Sequence, residues 1–162
     1  MLPEIKKILY ATDLSENSRA SLSWAMAIAR KHDASLLMLN VIEERVSTSP
    51  SVQIYFTDKE WKDLQARLDT EAVDIMKKRM EEFCNEVQSE IPDCPYVADE
   101  TIVRRGNPVE QIISTAKDHH CDIIVMGTTG AGRIAGAIMG STARRVLRRS
   151  KVPVFVIPMK DK

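Results

Sequence analysis

The stretch that decides the fold of this chain reads MGTTGAGRIAGAIMGST and covers residues 126–142. It follows directly on the apolar run CDIIVMG at residues 121–127, which is typical of a strand buried on both faces. Because glycine loses more conformational entropy on folding than any other residue, a concentration of glycines needs a physical reason. Five of the six glycines in the chain lie here, at Gly127, Gly130, Gly132, Gly136 and Gly140.

Outside this stretch, short apolar runs alternate with amphipathic segments. Four more apolar runs predict strands at residues 6–13, 34–42, 96–105 and 152–158. The segments between the runs predict helices at residues 16–31, 57–90, 107–119 and 141–150. Strands that alternate with helices predict an α/β fold with a parallel sheet and helices on both faces. The third strand is more polar and alternating than the others, so we expect it near an edge of the sheet.

Three of the predicted helices begin with recognisable capping residues. Ser15 is the predicted N-cap of the first helix. The TDKE sequence at Thr57–Glu60 fits a capping box at the start of the second helix. Asn107 precedes Pro108, and proline is favoured at the first position of a helix.

The second helix is predicted to be unusually long, because apolar residues recur at spacings of three and four from its capping box towards Glu90. The members of this apolar stripe are Trp61, Leu64, Leu68, Ala72, Ile75, Met80, Phe83 and Val87. The polar residues 43–56 that precede this helix read as a loop. A loop of about fifteen residues in a compact domain is usually functional or mobile.

Composition limits the class of protein. A length of 162 residues is enough for one domain with its own core, and we treat residues 1–162 as a single domain. Lys and Arg together number 23, as do Asp and Glu, so the neutral total favours neither nucleic acid nor an anionic membrane as a partner. The three cysteines show no CxxC spacing and the chain opens with no signal-peptide pattern. We therefore expect a protein of the reducing cytoplasm.

Two of the predicted strands end in residues suited to binding a ligand. Ala-Thr-Asp closes the first strand at residues 11–13, and Gly-Thr-Thr-Gly follows the fourth at residues 127–130. In parallel α/β sheets, ligands bind beyond the carboxyl ends of the strands, where the strand order reverses. Gly140 and Ser141 begin the last helix, whose free N–H groups and positive dipole end attract phosphate. The sequence thus offers two clusters of amide donors that can converge on one polyphosphate.

Neither of the common glycine-rich phosphate motifs is present. The P-loop requires a lysine that residues 136–140 lack, and GAGRIAG is one residue too long for the dinucleotide motif. The residues alone leave another interpretation open, in which the segment is a mobile small-residue loop, its glycines permit close helix packing and Ser141 is a simple N-cap. Arg133, inside the loop, could either contact a phosphate or point into solvent.

The spacing Gly127-x2-Gly130-x9-Gly140-Ser141 resembles the ATP-binding signature of the universal stress protein family. The resemblance covers nearly the whole chain, because the segments KKILYATDLSENSRASL, LLMLNVI, GNPVEQII, CDIIVMGT and GSTARRVLRRSKVPVFVIP look like successive family elements. It implies a Rossmann-like, adenine nucleotide α-hydrolase-like fold. Such a fold has an open five-stranded parallel sheet of order 3-2-1-4-5, with helices on both faces.

The resemblance also implies a site for ATP, with Mg²⁺ or Mn²⁺, on particular residues. Asp13 matches an acid near the adenosine; Thr12 adjoins it, and Ala11 stands where many ATP-binding members have proline. Val41 matches the second-strand position whose backbone contacts adenine. The phosphate-binding positions and their neighbours are Met126, Gly127, Gly130, Gly140, Ser141 and Thr142. Family members commonly dimerise by pairing their last strands, here Val154, Phe155, Val156 and Ile157.

On these grounds we expect an ATP-binding, nucleotide-dependent regulatory protein of the stress response, with slow or negligible hydrolysis and an unidentified protein partner. The sequence carries no nucleophile elbow and no recognisable catalytic triad that would identify a water-activating base. Two other functions stay open at this point. One is a slow but true ATPase or phosphotransferase, and the other is a protein-interaction module that never holds nucleotide.

Overall fold

The computed structural model describes residues 1–16, 18–43, 57–91, 98–129 and 139–158. Within these ranges, strands and helices alternate along the chain. The strands are β1 (Lys7–Ala11), β2 (Ser35–Ile42), β3 (Glu100–Arg105), β4 (Ile123–Gly127) and β5 (Val154–Ile157). The helices are α1 (Ser18–His32), α2 (Asp58–Ser89), α3 (Pro108–Asp118) and α4 (Ser141–Arg149).

The five strands form one parallel sheet in the order β3-β2-β1-β4-β5. The predicted fold class and strand order are therefore confirmed. The edge position predicted for the third strand is also confirmed, and it explains why Ile102 is the only buried residue of β3. Since β1 pairs with both β2 and β4, the strand order reverses between β1 and β4.

Each face of the sheet carries its own apolar core. On one face, α1 and α2 cover β1 and β2 through residues such as Leu22, Met26 and Met80. On the other face, α3 and α4 cover the sheet through Ile112 and Val146. The strands are buried from both sides, which accounts for their nearly continuous apolar sequences. Right-handed crossovers place the first two helices on one face and the last two on the other.

The capping predictions are confirmed for two helices and wrong for one. Thr57 and Glu60 form a reciprocal capping box on α2, and the Asn107 side chain accepts hydrogen bonds from two amides of α3. Ser15 does not cap α1, because that helix begins at Ser18. The Ser15 amide donates to the Asp13 carboxylate at 3.0 Å, and the Ser15 carbonyl accepts from the Ser18 amide at 2.9 Å. Of the predicted beginning of β3, residues 96–97 lie outside the described residues, and residues 98–99 precede the strand, which begins at Glu100.

The apolar stripe of α2 is buried over only part of its length. Met80, Phe83 and Val87 lie in the core, whereas Leu68 is 54% and Ile75 is 56% exposed. The helix runs without interruption for 32 residues, so its amino-terminal half extends past the sheet that its carboxyl-terminal half covers. None of the helices in the described ranges is long and apolar enough to cross a membrane.

Two alanine variants on α2 test this division. We expect Met80→Ala to lower the free energy of unfolding by about 2–5 kcal/mol, because it leaves a cavity in the core. Leu68→Ala, the matched variant on the exposed amino-terminal half, should change it by less than about 1 kcal/mol. Urea denaturation of both variants measures the difference. A loss at Leu68 as large as that at Met80 would mean that the amino-terminal half is buried too.

Candidate functional site

A cavity of about 870 Å³ lies at the carboxyl edge of the sheet, where the strand order reverses. Its volume falls within the roughly 300–1,000 Å³ usual for small-molecule sites. Nine of the eleven residues predicted to bind nucleotide line it, namely Ala11, Thr12, Asp13, Val41, Met126, Gly127, Gly140, Ser141 and Thr142. The other two, Gly130 and Arg133, lie outside the described residues. The fold thus brings segments that are over one hundred residues apart in sequence to one place.

The turn after β1 is held by several hydrogen bonds. The Thr12 amide donates to the Leu39 carbonyl at 2.9 Å, and the Thr12 hydroxyl accepts from the Leu14 amide at 3.0 Å. Asp13 Oδ1 accepts from the Ser15 amide and from the Ser18 hydroxyl, at 3.0 and 3.1 Å. Leu14 has a φ of 60°, an uncommon conformation for a residue with a branched side chain. These bonds position the Asp13 carboxylate at the edge of the cavity.

Asn40 secures the same turn from the neighbouring strand. Its side-chain amide donates to the Thr12 carbonyl at 2.9 Å, and the residue is only 4% exposed. Within the described part of the chain, its Oδ1 has no hydrogen-bond partner. Sequence reasoning did not select Asn40. A lone amide inside the apolar run LLMLNVI was the available signal, since buried polar groups are usually paired for a structural or functional reason.

Tyr10 supports the turn from inside the core. Its hydroxyl donates to the Ser18 carbonyl at 2.8 Å, and the Ser21 hydroxyl donates to the same carbonyl at 2.9 Å. Burial disfavours the phenolate and raises the pKa of Tyr10 to about 12. The Tyr10 hydrogen bond connects β1 to the first turn of α1, and the Ser21 bond lies within that turn.

The amino terminus of α4 forms the opposite side of the cavity, and no side chain in the described ranges caps it. Its N-cap is Gly140, so the interpretation of Ser141 as a simple N-cap is wrong. The prediction that the Gly140 amide is free is also wrong. This amide donates to the Thr128 carbonyl at 2.6 Å. The first helical amides therefore begin at Ser141, and such amides have no partner within their own helix.

Gly127 and Gly140 differ in the space around them. A Cβ added to Gly140 would lie 3.2 Å from the Thr128 carbonyl oxygen, which is closer than most real contacts. A Cβ added to Gly127 would meet its nearest neighbour, the Thr129 carbonyl oxygen, at an ordinary 3.7 Å. Glycine at position 140 therefore avoids a tight contact between the start of α4 and the end of β4.

The cavity is polar at one end and apolar along one wall. Ser141 and Thr142 supply hydroxyls beside the uncapped helix, while Leu39, Val41 and Ile112 supply aliphatic surface. An arrangement of this kind can hold a ligand with an anionic end and a flat apolar end. Among the described residues, no group of three or more His, Cys, Asp or Glu side chains is placed to hold a metal ion.

Glu43, Met76 and Arg105 are among the other cavity-lining residues that sequence reasoning missed. Glu43 and Arg105 stand at the carboxyl ends of β2 and β3, where the general rule for parallel sheets could have found them. Met76 carried no such signal, because it lies on the middle of α2 and reaches the cavity only through tertiary packing.

The fold and this cavity define a Rossmann-like α/β class of protein, and comparison with known proteins identifies the family. The model of the universal stress protein family matches residues 4–158, so the chain belongs to that family. It is 28% identical over 161 residues to universal stress protein MJ0577 of Methanocaldococcus jannaschii, with 96% of each chain covered.

Solved structures agree with this assignment. The structure of the hypothetical protein MJ0577 superposes with a TM-score of 0.73 at 27% identity, covering 99% of this chain and 100% of that one. A universal stress protein in complex with cAMP has a TM-score of 0.65 at 20% identity, with 98% and 100% covered. The universal stress protein from Archaeoglobus fulgidus in complex with dAMP has a TM-score of 0.55 at 22% identity, with 96% and 98% covered. The last two show the shared fold.

The raised pKa of Tyr10 predicts an alkaline loss of stability. Because the folded-state pKa of about 12 exceeds the ordinary 10.0, the contribution is complete below pH 10 and is lost as the pH rises towards 12. Tyr10→Phe should abolish this part of the pH dependence. We expect the stability difference between wild type and variant, from urea denaturation, to fall by about 2 kcal/mol between pH 9.5 and 11.5. A constant difference over that range would contradict the burial of the phenol.

Proposed function

We propose that this protein binds an adenine nucleotide, ATP with Mg²⁺ or Mn²⁺, in the cavity at the carboxyl edge of its sheet. The nucleotide acts as a conformational ligand of a regulatory protein in the stress response, and its hydrolysis is slow or negligible. The observation that carries this proposal is the uncapped amino terminus of α4, which lines the cavity opposite Asp13.

The phosphates would bind at the start of α4. The amides of Ser141 and Thr142 lie in its first turn, where the helix dipole contributes a partial positive charge. The N-cap side chains of Thr57 and Asn107 accept from the first amides of α2 and α3, whereas the N-cap of α4 is Gly140, which has no side chain. Phosphate oxygens would accept the hydrogen bonds that a capping side chain accepts elsewhere. The hydroxyls of Ser141 and Thr142 add two donors at the same place.

The nucleoside would extend from α4 towards β2. Val41 and Leu39 provide aliphatic surface at that end, and the backbone of Val41 is the position that resembles the adenine contact of the family. Asp13 lies between the two ends, with its carboxylate already oriented by Ser15 and Ser18. A ribose hydroxyl could donate to this carboxylate, which suits the role implied for Asp13.

The residues also fit a divalent cation bound together with the phosphates. Mg²⁺ usually keeps several waters and uses one or two carboxylates plus phosphate oxygens rather than a complete protein cage. Asp13 and Glu43 are the carboxylates that line the described part of the cavity. The cation would neutralise part of the phosphate charge, and Asp13, on the turn held by Thr12 and Asn40, is the better placed to face it.

The solved structures add limited support. Two universal stress proteins of the same fold are described as complexes with cAMP and with dAMP, both adenine nucleotides. A nucleotide changes the conformation of a protein only by the difference between its affinities for two states. The proposal therefore requires that ATP binding be measurable first, before any partner is sought.

Substitution of Ser141 by proline tests the phosphate site. Proline is tolerated at the first position of a helix, and Gly140, at φ −67° and ψ 161°, already has the conformation preferred before proline. Ser141→Pro removes one amide donor, so ATP should bind about tenfold or more weakly, as expected for a hydrogen bond to a charged group. Ser141→Ala is the matched control, because it removes the hydroxyl alone.

Isothermal titration with ATP and Mg²⁺ measures both variants, and thermal denaturation without nucleotide checks the fold. Gly140→Ala is a poorer choice, since its Cβ would press on the Thr128 carbonyl in the free protein. If wild type and Ser141→Pro bind ATP with equal affinity, the amino terminus of α4 does not bind the phosphates. If wild type neither co-purifies with an adenine nucleotide nor gains thermal stability from added ATP, the proposal as a whole fails.

We further propose that the protein is a cytoplasmic homodimer joined through β5. In the described part of the chain β5 is an edge strand, and its Phe155 is 46% exposed. The Ile124 amide donates to the Pro153 carbonyl and the Thr128 amide donates to the Ile157 carbonyl. By alternation, the polar backbone groups of Val154 and Val156 face away from β4. A second copy of β5 can pair with them, which would cover an edge that is otherwise exposed.

Val156→Pro tests this dimer without disturbing the hydrogen bonds between β4 and β5. It removes an outward-facing amide, and proline is accepted on the open side of an edge strand. We expect Val156→Pro to be monomeric and Val156→Ala, which loses only side-chain volume, to stay dimeric. Light scattering coupled to gel filtration measures the mass of each. A monomeric wild type, or a dimeric Val156→Pro, would rule out this interface.

A further inference from the structure

Arg105 occupies a position in the cavity that no motif of the sequence assigns. It is the last residue of β3, pairs in register with Ile42 of β2 and lines the cavity. Its guanidinium forms an ion pair with Asp69 of α2. Among the described residues that line the cavity, Arg105 is the one with a cationic side chain.

The location of Arg105 separates it from the phosphate end. The sheet order places β3 three strands away from β4, which corresponds to about 14 Å at the usual spacing between strands. The start of α4 lies beside the end of β4, because the Gly140 amide donates to the Thr128 carbonyl. Arg105 therefore stands at the nucleoside end of the cavity rather than at the uncapped helix.

The surroundings of Arg105 suit a flat neutral ring better than a free anion. The Asp69 carboxylate balances much of the guanidinium charge and restricts the orientation of the guanidinium. The Arg105 side chain is also only 32% exposed, so solvent weakens this ion pair less than it would at the surface. Ile42 and Met76 supply apolar surface to the same part of the cavity. An ion pair engages the N–H groups at the edge of a guanidinium, and its planar face can stack on aromatic rings.

We propose that Arg105 binds the nucleobase by stacking its guanidinium on the ring, with Asp69 as the residue that orients it. This inference rests on the proposed nucleotide site and adds to it a binding residue for the base. The same chemistry would accept any purine ring, so Arg105 contributes affinity for the nucleoside whatever number of phosphates follows.

Comparison of wild type with Arg105→Lys and Arg105→Met distinguishes the contribution of stacking to nucleotide affinity from the contribution of charge. Arg105→Met keeps an unbranched apolar stem and loses both the charge and the plane, whereas Arg105→Lys keeps the charge alone. Arg104→Met is the matched control, because Arg104 is the adjacent β3 residue, on the opposite face, and does not line the cavity. Isothermal titration with AMP, ADP and ATP measures the affinity of each variant, and thermal denaturation checks that each is folded.

We expect Arg105→Met and Arg105→Lys to bind all three nucleotides about 3- to 10-fold more weakly than wild type, by the same factor for each. Arg104→Met should bind like wild type. Full affinity in Arg105→Lys, a loss that grows with the number of phosphates, or an unchanged Arg105→Met would overturn the stacking role while leaving the nucleotide site intact. Wild type that binds none of the three nucleotides would overturn both proposals together.

Discussion

The parallel pairing of β1 with β4 is the constraint on which the rest of the structure depends. From β1 the chain moves through β2 to the edge strand β3, with α1 and α2 on one face. It then returns to the other side of β1 through α3, and continues to β5 with α4 on the second face. Because the two crossovers leave the centre in opposite directions, neither covers the carboxyl ends of β1 and β4. The register pairs Ala11 with Met126, so the residues that follow each of them meet at this opening.

The two sides of the opening differ in how their hydrogen bonds are satisfied. On the β1 side, Thr12 bonds through its amide, its hydroxyl and its carbonyl, and the turn is held before any ligand arrives. On the β4 side, α4 begins without a capping side chain in the described ranges. One side is therefore organised in advance, and the other retains donors that a ligand can use. A site built in this way loses little conformational entropy on binding, while the helix terminus gains the partners it lacks.

The helix α2 links the cavity to the outer surface of the protein. Met76 lines the cavity and Asp69 holds Arg105, whereas Leu68 and Ile75 on the same helix are exposed to solvent. Further along, Met80 and Val87 anchor the helix in the core against β1 and β2. One rigid element thus contacts the cavity on one face and presents apolar side chains on another.

The sequence by itself determined which segments form strands and helices, where α2 and α3 begin, and that Gly127 and Gly140 stand at the ends of the elements that border the cavity. These features depend on local patterns: runs of apolar residues, spacings of three and four, and capping residues next to the helix that they cap. The strand order and most of the site residues were inferred from a resemblance to a family. That resemblance supplies tertiary information that local sequence patterns do not contain. Only the tertiary structure decided that Asn40 secures Thr12, that Met76 and Arg105 reach the cavity, and that the Gly140 amide is taken by Thr128. Each of these contacts joins residues far apart in the chain, so no local pattern could contain it.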